Sequence, residues 1–179
     1  ILMDEPLTVI DPDLKFRLRR QLKEINQKYQ STLIYVTHDQ NEAMTFAENI
    51  IVMDEGNIVQ VGTPVELFER PQTTFVGYFI GAPAMNFFEC ECVDAQTVAF
   101  GSAKIATQTN LEKIKTKNLK LGIRSEYITL TNSVGGNTLR ASVQNVEDMG
   151  NNKLLTAIFE GNSIKIKVKR EVEVSEDIV

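Results

Sequence analysis

The sequence predicts an α/β unit followed by an all-β unit, and three observations carry that expectation. Between residues 1 and 37 a strand-like run, an amphipathic helical stretch and a second strand-like run follow one another, the pattern of a parallel βαβ connection. From residue 87 onward, short β-rich runs alternate with glycine turns at the spacing of a small antiparallel barrel or sandwich. Gly81-Ala82-Pro83 marks the change of character, so residues 1–82 are expected to form one domain and residues 83–179 the other.

Within the first unit, Asp11-Pro12 reads as a helix start: an acid at the N-cap and proline at the first helical position. Leu14, Leu18, Leu22, Ile25 and Tyr29 then recur at helical spacing and define one apolar face. After Ser31-Thr32, "LIYVTH" is a β-rich run of the buried-strand type. A short helix is expected around Glu42 to Ala47, then a hairpin in "NIIVMDEGNIVQVGT" turning at Asp54 to Asn57. Thr63-Pro64-Val65-Glu66 has the form of a capping box, opening a helix with Leu67 and Phe68 that stops at Pro71, and a further helix is expected over Thr73 to Ile80. In the second unit, strands are expected over Phe87 to Phe100, Lys120 to Leu130, Thr138 to Val146, Lys153 to Phe159 and Ser163 to Val174.

Composition narrows the function classes. The net charge is −5, with basic residues scattered among acids, which argues against a nucleic-acid footprint. No stretch approaches the roughly 18 apolar residues needed to span a bilayer, so a membrane connection is expected only through a partner. Cys90 and Cys92 stand in a Cys-x-Cys on a strand, where alternation puts both on one face and disfavours a mutual disulfide. They read as reduced thiols, and the single histidine lies too far upstream to complete a metal set with them.

Chemistry is expected at the other end of the chain. In open parallel sheets ligands sit beyond the carboxyl ends of the strands, where Asp4, Glu5 and His38 fall. Adjacent acids at a strand tip can divide labour, one holding hydrated Mg2+ and the other orienting or deprotonating an attacking water. A neutral imidazole opposite could donate to developing negative charge. Each element alone also fits solvated acids at a strand end and a structural histidine. Receiver domains of two-component signalling place acids similarly, but no lysine-bearing final strand of that kind precedes the hairpin.

Taken together, "ILMDEP", "IDPDL", "LIYVTHDQNEAM" and "IIVMDEGNIVQVGTPVELFERP" resemble the second half of the nucleotide-binding subunit of ATP-binding cassette (ABC) transporters, over residues 1 to about 88. The resemblance implies that Ile1 to Asp4 is the Walker B strand, Glu5 the catalytic glutamate, Asp11 the D-loop aspartate and His38 the switch histidine. "FVGYFIGAPAMNFF" is similar to the linker of importer ATPases for maltose-type sugars and glycerol 3-phosphate. "LGIRSEYI" and "VQNVEDMG" are similar to the transport-associated OB-fold region of that subfamily, with Ser125 where the family has proline. The D-loop "PLTVID" departs from the family form at Thr8, Val9 and Ile10.

The fold class so implied is an α/β remnant of a P-loop ABC ATPase domain followed by an all-β OB-fold-like domain. The phosphate loop G-x-x-x-x-G-K-[ST] and the Leu-Ser-Gly-Gly-Gln signature do not occur in this sequence, so the expectation is half of an active site, inactive by itself. In the intact protein the resemblance implies ATP sandwiched between two copies of the subunit. Asp4 would act on Mg2+ through water, Glu5 on the attacking water, His38 on the γ-phosphate, and Asp11 would cross to the second copy. It further implies transmembrane permease subunits as partners, a cytoplasmic location on the inner face of the membrane, and no nucleic acid. The solute would be a sugar or a glycerol-3-phosphate-like compound. Alternatives are import of a polyamine or metal ion, a non-catalytic dimerisation or regulatory module, and, disfavoured by the β-rich tail, a cassette ATPase of DNA repair.

Overall fold

The computed structural model describes residues 1–114 and 118–179. Two compact units divide it, Ile1–Val76 and Gly77–Val179.

In the first unit, β1 (Leu2–Asp4) and β2 (Ile34–Val36) pair in parallel, with Asp4 opposite Val36, and α1 (Pro12–Tyr29) connects them. The βαβ unit expected from the sequence is therefore formed. Asp11 caps α1 by accepting the N–H of Asp13 at 3.0 Å, and Pro12 occupies a position where a missing N–H costs nothing. The apolar face of α1 is present, yet no residue of α1 is buried, and Leu14 and Ile25 keep nearly half their surface exposed. An 18-residue helix is about 27 Å long, whereas three-residue strands reach only about 10 Å, so this two-stranded sheet is too short to cover it.

Next come α2 (Gln40–Phe46) and the antiparallel hairpin of β3 (Ile50–Asp54) and β4 (Asn57–Gly62). The hairpin turns through Glu55 and Gly56, both at positive φ (46° and 81°), the conformation that a tight two-residue hairpin loop requires. α3 (Pro64–Glu69) opens with the expected capping box: Thr63 Oγ1 accepts the Glu66 N–H, and the Glu66 carboxylate accepts the Thr63 N–H at 2.8 Å. Gln60, buried on β4, ties down the chain beyond α3 by donating to the Arg70 carbonyl and accepting the Gln72 N–H.

The second unit consists of two four-stranded sheets. One runs in the order β7 (Ala103–Ala106), β6 (Thr97–Phe100), β5 (Asn86–Asp94), β8 (Leu119–Ile123). The other runs β11 (Asn162–Lys169), β10 (Asn152–Phe159), β9 (Ala141–Asp148), β12 (Asp177–Ile178). Alternate residues of both sheets share one core: Phe88 stacks on Phe100, Phe100 meets Phe159 edge-on, and Leu155, Ile164 and Ile166 are almost fully buried.

Several expected runs are broken up or trimmed. Phe87 to Phe100 is two strands, because the Asp94 carboxylate accepts the Gln96 N–H and turns the chain. The run Lys120 to Leu130 ends as a strand at Ile123 and continues as a single 3-10 turn, Ser125–Tyr127. Ser163 to Val174 is strand only as far as Lys169. Cys90 and Cys92 are both free thiols, Cys90 buried and Cys92 exposed.

The seam lies six residues ahead of the expected start at residue 83, and the reason is specific. Arg124, 1% exposed, donates from Nη1 to the carbonyls of Gly77 (2.8 Å) and Ile80. The Met85 N–H donates to the same Gly77 carbonyl at 3.3 Å. α4 (Thr74–Phe79) straddles the seam, and its last turn is held by the second unit.

Candidate functional site

Asp4 ends β1 and pairs with Val36, so its carboxylate lies at the carboxyl tip of the strand. Glu5 follows with its N–H donating to the Val36 carbonyl at 2.9 Å, which extends the parallel ladder by one bond. Its φ of 43° lies in the left-handed region, uncommon for a residue with a side chain, and turns the chain sharply off the sheet. Past the end of β2, the loop of residues 37–39 presents His38.

The two meet: His38 Nδ1 lies 2.8 Å from Glu5 Oε1. The other carboxylate oxygen of Glu5 accepts a bond from Thr8 Oγ1 at 3.2 Å, and the same hydroxyl donates to the Glu5 carbonyl at 3.0 Å. Thr8, which stands out in the sequence only as a departure in the D-loop, is thus a direct partner of Glu5.

Electrostatics follow from the contact. Hydrogen bonding to His38 holds the Glu5 carboxyl below its ordinary range, and hydrogen bonding to Glu5 raises the His38 imidazole above its own. An ionised carboxylate only accepts, so Nδ1 carries the proton in this pair. A neutral His38 so engaged would have a bare, accepting Nε2. Donation from Nε2 while Nδ1 bonds Glu5 calls for the imidazolium, the form that the pairing favours.

Of the four residues singled out from the sequence, Glu5 and His38 are in contact and Asp4 precedes Glu5 in the chain. Asp11 is engaged elsewhere, as the N-cap of α1. Among the described residues no group of three or more potential metal-ligating side chains is assembled. No helix among them is long and apolar enough to cross a membrane.

One further acid lies behind this surface. Glu42, on the first turn of α2, is 3% exposed, and its Oε2 accepts from Tyr35 Oη and Thr37 Oγ1, each at 3.0 Å. Its Oε1 faces Lys15 Nζ at 3.2 Å in an ion pair, although no donor among the described residues meets it in aligned hydrogen-bond geometry. In the sequence Glu42 marks only a helix start. An acid three residues after the N-cap Asp39 could as well have been a helix-dipole partner, so the burial had no signature of its own.

Comparison with known proteins shows what the chain is similar to. Residues 81–128 match the family described as the MalK OB fold domain, a span that contains the sheet β7-β6-β5-β8 and Arg124. The sn-glycerol-3-phosphate import ATP-binding protein UgpC 2 of Agrobacterium fabrum is 36% identical over 175 residues, covering 96% of this chain and 46% of the relative. The corresponding protein UgpC of Ruegeria pomeroyi is 38% identical over 167 residues, 93% of this chain and 46% of the relative. The oligosaccharides import ATP-binding protein MsmX of Bacillus subtilis is 33% identical over 183 aligned residues, 97% of this chain and 50% of the relative. The chain spans about half the length of the curated relatives it matches. Over nearly its whole length the chain is thus similar to import ATP-binding proteins named for sn-glycerol 3-phosphate and oligosaccharides, with a match to the MalK OB fold domain in its second unit.

Proposed function

We propose that the intact protein is the ATP-hydrolysing subunit of an ABC importer, and that the strand tips of the first unit supply its water-activating half-site. The observation that carries the reading is the 2.8 Å contact between Glu5 and His38 beyond the carboxyl ends of two parallel strands. Glu5, held by His38 and Thr8, orients the attacking water and accepts its proton. His38 as imidazolium donates from Nε2 toward the γ-phosphate oxygens, where negative charge gathers. Asp11, at the exposed N-terminus of α1, reaches toward the second copy of the subunit.

The donor set fits Mg2+. That ion keeps most of its waters and takes one or two carboxylates together with substrate phosphates, so an exposed carboxylate at a strand tip, Asp4, suits it better than a closed cage would. When bound, Mg2+ neutralises phosphate charge. The phosphates themselves need the glycine-rich loop and its lysine, which this chain does not encode. The relatives named for sn-glycerol 3-phosphate and oligosaccharides support a sugar or a glycerol-3-phosphate-like compound as solute. They also support permease subunits as partners and a location on the cytoplasmic face of the membrane.

In the intact protein Glu5→Gln should leave ATP binding in place and lower turnover by about 10²-fold. Undiminished turnover would remove Glu5 from the role. The 179-residue chain by itself should release no phosphate and bind Mg-ATP at most very weakly. Micromolar binding by calorimetry would show that this half of the site does hold the nucleotide. Growth of a deletion strain across sugars and glycerol 3-phosphate identifies the solute.

A further inference from the structure

The Glu5–His38 pair is exposed, with 44% and 69% of the respective side chains open to solvent. An ion pair this exposed contributes little to holding its own members in place. Something behind it must set the loop that carries His38.

Both neighbours of His38 bond to Glu42, Thr37 to its buried carboxylate and Asp39 to its backbone N–H. Thr37 donates from Oγ1 to Glu42 Oε2 at 3.0 Å, and the same hydroxyl accepts the Asp39 N–H at 3.0 Å. Asp39 Oδ1 in turn accepts the N–H groups of Asn41 and Glu42 at 2.9 and 3.2 Å. Glu42 is also anchored to β2 through Tyr35 and to α1 through Lys15, while the Tyr35 ring packs on Phe46 of α2 with centroids 5.0 Å apart. Three elements therefore converge on one carboxylate, directly beneath a three-residue loop.

We propose that Glu42 is a positioning residue that fixes the 37–39 loop so that His38 Nδ1 meets Glu5. The proposal rests on the half-site reading above for its catalytic consequence, though its geometric part does not. Thr37 is the coupling element: its hydroxyl touches both the Glu42 carboxylate and the backbone N–H beyond His38.

His38 is the only imidazole in the chain, so its ring nitrogens and Nδ1 proton are assigned without ambiguity in a 15N-labelled sample. Glu5→Gln, which weakens the acceptor, sets the reference spectrum for a released ring. Thr37→Val and Glu42→Ala should both move the ring signals to that reference, and Glu42→Gln, which can still accept from Tyr35 and Thr37, should retain the original ones. Thermal midpoints measured on the same samples separate a loosened fold from a loosened ring. If Thr37→Val and Glu42→Ala lower the midpoint while the Nδ1 signals stay as in the unsubstituted chain, Glu42 is only a staple and the proposal fails. Should Glu42→Ala not fold, Thr37→Val decides by the same criterion. In the intact protein Thr37→Val should lower kcat by about 10²-fold with KM for ATP unchanged, the scale on which misplacing a catalytic group acts. An intact protein without ATPase activity would overturn the half-site reading, and the ring spectra would still decide whether Glu42 positions His38.

Discussion

At the level of single residues, the Glu5–His38 pair makes a pH prediction with a definite sign. His38 has its pKa raised by Glu5, so its contribution to stability is full below the ordinary imidazole range and is lost as pH rises through the raised value. Glu5 has its pKa lowered by His38, so its contribution is present above the ordinary carboxylate range and is lost as pH falls through the lowered value. The difference in thermal midpoint between the unsubstituted chain and Glu5→Gln should therefore be largest between those two ranges and shrink on both sides. A difference that is flat with pH rules the ion pair out. Arg124 tests a buried residue of the second unit. Arg124→Met removes the donor to the Gly77 and Ile80 carbonyls and should cost about 1–3 kcal/mol by chemical denaturation, the scale for stranding buried acceptors.

Among the helices and hairpins, caps and turns act through defined contacts. Thr63→Ala removes the acceptor of the Glu66 N–H at the start of α3 and should destabilise by about 1 kcal/mol. Gly122 on β8 is a tighter site. An added Cβ would stand 2.7 Å from Met85 Sδ and 3.0 Å from Phe87 Cε1, so Gly122→Ala should cost about 1–3 kcal/mol as overpacking, read as a lower denaturation midpoint. The hairpin β10–β11 turns on Glu160-Gly161 with φ of 47° and 81°, repeating the Glu55-Gly56 turn of β3–β4. Glu160 has a further role there, because its carboxylate accepts the N–H of Ser102 and joins the β6–β7 turn to the β10–β11 turn.

For the chain as a whole, the division at Val76 and Gly77 predicts the outcome of limited proteolysis. A stable product should begin in the seventies, ahead of Gly77, because Arg124 and Met85 hold the Gly77 carbonyl. A product beginning beyond residue 83 would mean that the last turn of α4 is not part of the second unit. The large core of that unit, against a first unit whose longest helix has no buried residue, makes it the piece expected to survive.

The features legible in one dimension are those that local chemistry encodes. Asp11-Pro12, Thr63-Pro64-Val65-Glu66 and the turn at Asp54 to Asn57 set their caps and hairpin through contacts within three residues. The order of motifs is equally legible and puts Asp4, Glu5 and His38 at the ends of two paired strands. The rest was decided by the folded chain, because each case turns on residues far apart in sequence. Glu5 and His38 are 33 positions apart, and only the parallel register of β1 on β2 brings them to 2.8 Å and thereby selects which nitrogen carries the proton. Arg124 moves the seam by bonding a carbonyl 47 residues upstream. Glu42 reads in sequence as an ordinary first-turn acid. It becomes the buried anchor of the His38 loop only when β2, α1 and α2 close around it, and a one-dimensional pattern cannot state that three elements meet at a point.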